Sequence, residues 1–143
     1  MKTVNPYLNF NGNTEEVFGF YKSVFGGEFS SLIRFKDFPE AGNVPEDARN
    51  KIMHISLPIG PHNELMGTDA PESMGFKLTT GNNISILLDV VDEAEGDRLF
   101  RALSESGTVS MAMQKTFWGA YYGMCTDKYG IQWMINHSPE TDR

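Results

Sequence analysis

Three histidines and one cysteine are the side chains best suited to proton transfer, metal ligation or nucleophilic attack. His54 stands in the run Ile52-Met53-His54-Ile55-Ser56, where alternation predicts a strand. A titratable ring on a strand face is the best general-base candidate in the chain. Set beside Asp69 or Glu64 it could instead belong to a non-standard metal site. A third reading is a strand histidine satisfied by one hydrogen bond. His62 follows Gly60-Pro61 in a turn, and His137 lies near the C-terminal end. No H-x-H, H-x-x-x-H or HExxH spacing brings two histidines together. Cys125, the single cysteine, excludes an intramolecular disulfide and a cysteine-based zinc site. Its aromatic strand context reads as a small buried hydrophobe rather than a reactive thiol. No G-x-S-x-G nucleophile elbow occurs.

Recognition of an organic ligand is the other chemistry the residues suggest. Trp118, Tyr121, Tyr122 and Trp133 fall on two predicted strands, with Trp118 and Tyr122 on one face as pocket lining and Tyr121 with Cys125 on the other. Trp133 shares a face with Ile131 and Ile135 and is expected under a helix. Met66, Met124 and Met134 add adaptable apolar surface, as core filler or as pocket wall.

These residues must be held by elements that recur. Asn13-Thr14-Glu15-Glu16 and Asp92-Glu93-Ala94-Glu95 each read as a capping residue followed three positions later by Glu, and they start about 80 residues apart. The first helix is predicted near 14–25 with Val17, Tyr21, Val24 and Phe25 inward, ended by Gly26-Gly27. The second is predicted near 93–106 with Leu99, Ala102 and Leu103 inward, ended by Gly107. Extended runs precede them at 4–10 and 84–91. Three more follow each: 28–36, 50–59 and 63–68, then 108–113, 117–126 and 131–136. The chain therefore reads as α+β, one domain over 1–143, with βαβββ modules at 1–70 and 83–137. Residues 37–50 and 69–83 read as loops, the first a lid, a dimer arm or an ordinary surface excursion. One helix covers one face of a four-stranded sheet, so the other faces are expected to curl around a cavity. Strand parity sends Pro6, Leu8 and Phe10 to the first helix and Asn5, Tyr7 and Asn9 to the open face. It likewise separates Ile84, Ile86 and Leu88 from Asn83, Ser85, Leu87 and Asp89.

Hydrophobic residues make up 40% of the 143 and charged residues 22%, as in an ordinary globular chain, and the net charge of −7 is evenly spread. No basic stripe supports a nucleic-acid partner. No apolar run reaches the roughly 20 residues of a membrane helix, and no secretory signal opens the chain, so a cytoplasmic location is expected.

The chain resembles the vicinal oxygen chelate superfamily of glyoxalases, extradiol dioxygenases and bleomycin-resistance proteins, and within it the PhnB-like branch. The segments that carry the resemblance are PYLNFNGNTEEVFGFYKSVFGG at 6–27, MHISL at 53–57, LMGTDA at 65–70 and WGAYYGMCTDKYGIQWMIN at 118–136. It implies paired βαβββ modules with mixed, mainly antiparallel sheets, and commonly a homodimer. Metalloenzymes of the superfamily take two His or Glu ligands from each module. Those positions fall here on Asn5, Met66, Asn83 and Met134, with Met66 and Asn83 placed to within one residue. Neither amide nor thioether is an ordinary ligand for a transition metal, so no metal and no other cofactor is expected. Some members of the branch carry a methyltransferase label. This sequence lacks the glycine-rich strand-to-helix turn of a nucleotide site. The expected function is metal-independent binding of a small organic molecule by Asn5, Tyr7, Met66, Asn83, Ser85, Trp118, Tyr122 and Met134. The alternative is a metal-dependent lyase, isomerase or dioxygenase, or acid–base chemistry by His54.

Overall fold

A computed structural model describes residues 1–37 and 41–139. The chain divides into two compact units, Met1–Thr79 and Thr80–Arg143. No helix among the described residues is long and apolar enough to cross a membrane.

The first unit runs β1 (Tyr7–Phe10), α1 (Thr14–Phe25), β2 (Ser31–Arg34), β3 (Ile52–Ile59) and β4 (Asn63–Asp69). Its sheet is ordered β1-β4-β3-β2, with β1 parallel to β4 and the other pairs antiparallel. A parallel pair needs a long crossover. Here α1 carries the chain to the far edge, and two antiparallel returns bring β4 back beside β1. Val17, Phe18 and Tyr21 of α1 are fully buried, as are Ile55, Leu57 and Leu65 of the sheet. Phe18 joins the inward face, and Phe25 at the end of the helix is half-buried. A glycine makes room for the Phe18 ring. Gly67 lies beneath the Phe18 ring, and a Cβ there would sit 2.6 Å from Phe18 Cε1.

The start of α1 differs from the capping expected of Asn13, whose side chain makes no cap bond. Asp69, 2% exposed at the end of β4, does the work instead. Its Oδ1 accepts from Thr14 N at 3.0 Å and Thr14 Oγ1 at 2.6 Å, and its Oδ2 accepts from Ile52 N at 2.8 Å. One carboxylate thus satisfies donors of the helix and of β3 together.

The segment expected as a loop over 37–50 contains 3₁₀ turns at Ala41–Asn43 and Glu46–Ala48, with another at Phe35–Asp37 before it. Val44 and Ala48 are buried with Phe35, and Met53 and Met74 pack against them. The described part of the excursion is packed onto its own unit, while 38–40 lie outside the described residues.

The second unit repeats the plan with β5 (Ile86–Asp89), α2 (Glu93–Ser104), β6 (Thr108–Lys115), β7 (Tyr121–Thr126) and β8 (Gln132–His137), ordered β5-β8-β7-β6. Asp92 caps α2 as expected: its Oδ1 accepts from Glu95 N at 2.8 Å, and Glu95 Oε1 reaches back to Val91 N at 3.1 Å. Trp133, 1% exposed, lies on the face that α2 covers and donates from Nε1 to Asp127 Oδ2 at 2.9 Å. Tyr121 donates to Asp97 on α2 at 2.6 Å. Burial pushes the Cys125 thiol up to about 11, which leaves it an unreactive hydrophobe at neutral pH. Ile84 was expected under the helix but is 78% exposed, because β5 begins only at Ile86.

Candidate functional site

The face of the first sheet away from α1 is set by register. Leu8, Gly67 and Ile55 are aligned across β1, β4 and β3 on the helix side. Tyr7, Met66, Ser56 and Ser31 form the adjacent row, and side-chain alternation sends that row to the other face. His54, two residues before Ser56, joins it. Tyr7 reaches across β4, so its hydroxyl lies 3.0 Å from His54 Nδ1, with the ring centroids 5.6 Å apart. Burial raises the Tyr7 phenol above its ordinary value, which keeps it protonated at neutral pH.

Glu64 completes this face. Its Oε1 accepts from Ser30 Oγ at 2.5 Å and from Ser56 Oγ at 2.6 Å. These two bonds, with a smaller contribution from His54, hold the carboxyl below its usual range. Asp69, the other carboxylate considered with His54, belongs to the opposite face, where Thr14 and Ile52 occupy it. A His54–Asp69 site is therefore corrected to a His54–Tyr7 pair with Glu64 on the same face.

Asn5 lies before β1, not in it. Its Oδ1 accepts from Glu64 N at 3.0 Å and its Nδ2 donates to Thr3 Oγ1 at 3.1 Å, so the amide ties the incoming chain to β4. The other two histidines stand apart. His62 is exposed in the β3–β4 turn, and His137 Nδ1 donates to the Val90 carbonyl at 3.1 Å.

In the second unit, Leu87, Met134, Met124 and Met111 form the row away from α2. Tyr122 lies on the same face, paired with Asn136, which donates to Asp89 Oδ1 at 2.9 Å. Trp118 does not join Tyr122. The strand expected from 117 starts at Tyr121, and Gly119, with φ of 91°, turns the chain before it. Trp118 sits in that turn, 61% exposed, edge-on to Phe117 at 4.8 Å. Asn83 and Ser85 lie in the coil before β5. There Gln132 Nε2 donates to the Asn82 and Ile84 carbonyls at 3.0 and 2.7 Å.

The matching registers Tyr7↔Met66 and Leu87↔Met134 give the internal correspondence. Asn5 is equivalent to Ser85 rather than to Asn83, and Asn5 lies beside Glu64 rather than Met66. With this adjustment the positions that the resemblance implies hold the Asn5 amide and the Ser85 hydroxyl, with the Met66 and Met134 thioethers and one carboxylate, Glu64, on the strands beside them. The Asn5 oxygen is already engaged, and Glu64 Oε1 serves two hydroxyls. Among the described residues no group of three His, Cys, Asp or Glu comes together. This donor set does not fit a tightly bound divalent ion.

Sequence reasoning placed Tyr7 and His54 separately and missed Ser30, Ser56 and the role of Glu64. The period of two through His54 and Ser56 was a usable signal; the pairing that brings Tyr7 to them was not.

Comparison with known proteins agrees with this architecture. A family model described as 3-demethylubiquinone-9 3-methyltransferase matches residues 2–136. The crystal structure of protein PA1353 from Pseudomonas aeruginosa is 39% identical, with a TM-score of 0.82, over 95% of this chain and 97% of that one. The PhnB protein from Bacillus cereus is 24% identical, with a TM-score of 0.75, over 95% and 99% of the two chains. A glyoxalase/bleomycin resistance protein/dioxygenase family enzyme from Burkholderia phytofirmans shares the fold at 22% identity, with a TM-score of 0.60, over 92% and 95%. The chain belongs to the PhnB-like family described as 3-demethylubiquinone-9 3-methyltransferase, built on the glyoxalase/bleomycin-resistance fold.

Proposed function

We propose that this protein binds a small organic molecule on the helix-free face of its first sheet, through side chains rather than through the superfamily's metal. The observation that carries this reading is the Tyr7–His54 hydrogen bond on a face that also holds Ser56, Glu64 and Met66. A phenol, an imidazole and a thioether offer polar handles beside polarisable apolar surface, as small-molecule sites do. Glu64 makes the face negative. Arg34 and Lys51 are turned elsewhere, to Glu15 and to the Gly12 carbonyl, which disfavours anionic ligands. Tyr122 and Met134 are proposed as ligand contacts on the second unit. Asn5 and Ser85 are proposed to act by holding their strands, and Asn83 and Trp118 as peripheral contacts.

Metal-dependent lyase, isomerase or dioxygenase chemistry is the weaker reading, on the donor set above. Methyl transfer is not proposed, since no glycine-rich strand-to-helix turn precedes α1 or α2. A homodimer and a cytoplasmic location are proposed alongside; light scattering at micromolar concentration tests the first, where a 16.0 kDa monomer contradicts it.

Saturation-transfer NMR with neutral, aromatic, cationic and anionic compounds in the presence of EDTA tests the binding. Neutral or aromatic binders whose signal falls on His54→Ala are expected. Binding that appears only after zinc, nickel or manganese is added would overturn the reading.

A further inference from the structure

A phenol and an imidazole nitrogen 3.0 Å apart can share their hydrogen bond in two ways. With the ring proton on Nδ1, Nδ1–H donates to the Tyr7 oxygen. The phenol proton is then available to a ligand, and Nε2 carries a lone pair. With the ring proton on Nε2, the phenol donates to Nδ1, leaving Nε2–H as donor and the phenol oxygen as acceptor. Each form offers one donor and one acceptor, and the two forms carry the same net charge.

The surroundings favour chemistry that stays neutral. Glu64 is held as an anion by Ser30 and Ser56 on the same face. The cations of this unit whose contacts are defined are drawn away: Lys22 to Glu28, Arg34 to Glu15 and Lys51 to Gly12. An enolate formed here would meet the Glu64 carboxylate, with Lys22, Arg34 and Lys51 engaged elsewhere. A carbonyl oxygen protonated as its neighbouring carbon is deprotonated avoids that charge.

We propose that, given the binding reading above, Tyr7 and His54 act together as a neutral acid–base pair. The pair would interconvert the keto and enol forms of a neutral ketone, engaging one substrate oxygen and no metal. In the forward step His54 Nε2 takes a proton from the carbon beside the carbonyl, and the C–H electron pair becomes the C=C π bond. The carbonyl π pair takes the Tyr7 hydroxyl proton. The phenol O–H pair takes the proton of Nδ1, whose N–H pair stays on the ring. Nothing is oxidised or reduced, and the pair ends in its other tautomer. Reversal in heavy water places deuterium on the carbon.

Phenylacetone, a neutral aromatic ketone with an acidic CH2, is the probe. One NMR sample in D2O with EDTA reads both steps: saturation transfer reports binding, and loss of the CH2 signal reports exchange. The wild type is expected to exchange at least tenfold faster than buffer. Tyr7→Phe and His54→Gln, each compared with the wild type at phenylacetone concentrations raised until saturation transfer is equal, are expected to fall to the buffer rate with an unchanged melting curve. Saturation transfer in the wild type with exchange at the buffer rate would overturn the acid–base pair and leave the binding reading standing. Exchange undiminished in Tyr7→Phe would likewise overturn it. No saturation transfer from the wild type would overturn both.

Discussion

Asp69 caps a helix that begins 55 residues before it, accepting from Thr14 N at 3.0 Å and Thr14 Oγ1 at 2.6 Å. The contact joins the last strand of the first sheet to the helix that covers it. Its other oxygen takes Ile52 N, where β3 begins.

Removing this carboxylate strands three donors, two of them on a fully buried Thr14. Asp69→Ala is expected to destabilise the protein by about 3 kcal/mol, from losing a cap and leaving buried groups unpaired. Asn13→Ala, at the position where sequence alone puts the cap, is expected to change stability by less than about 0.5 kcal/mol. Urea unfolding of the two variants checks the pair. Equal losses would mean that Asn13 caps α1 after all.

Gly67 is needed for close approach rather than for an unusual backbone. A methyl there meets Phe18 ring carbons at 2.6 and 2.9 Å. Gly67→Ala is expected to cost about 1–3 kcal/mol through overpacking, and Phe18→Leu in the same chain should recover part of it. Thermal melts of the single and double variants measure the coupling; simple additivity would contradict the contact.

Glu64 gives a pH dependence with a definite sign. Its folded pKa is lowered, chiefly by the Ser30 and Ser56 hydroxyls. The stabilisation is therefore present above the unfolded carboxyl's value and is lost as pH falls through the folded one. In Ser56→Ala the Glu64 carboxyl should titrate closer to the ordinary range, and stability should fall off less on acidification. Carboxyl carbon shifts followed from pH 7 downward test this, and an unchanged Glu64 midpoint would contradict it.

The order of elements was legible because its signals are local. Asp92 with Glu95, Gly26-Gly27 after α1 and the alternation through Ile52–Ser56 each act within a few residues, whereas the left-handed residue after α2 is Ser106 and not the expected Gly107. What was not legible depends on strand pairing. Asp69 replaces Asn13 because β4 ends beside α1, and Glu64 rather than Met66 lies beside Asn5 because β1 and β4 pair in that register. Trp118 looked like a strand residue by composition, but Gly119 turns the chain before Tyr121. Parity correctly put Tyr7 on the face away from α1. That its hydroxyl crosses β4 to His54 follows only from the order β1-β4-β3.

The most direct test of metal-independent binding is an amide shift map of the ¹⁵N-labelled protein, titrated in EDTA with a neutral aromatic compound that shows saturation transfer. Shifts concentrated at Tyr7, His54, Ser56, Glu64 and Met66, unchanged by the chelator and reduced in Tyr7→Phe, are the expected result. Shifts confined to residues on the α1 side of the sheet, or appearing only once a divalent ion is added in equal amount, would contradict it.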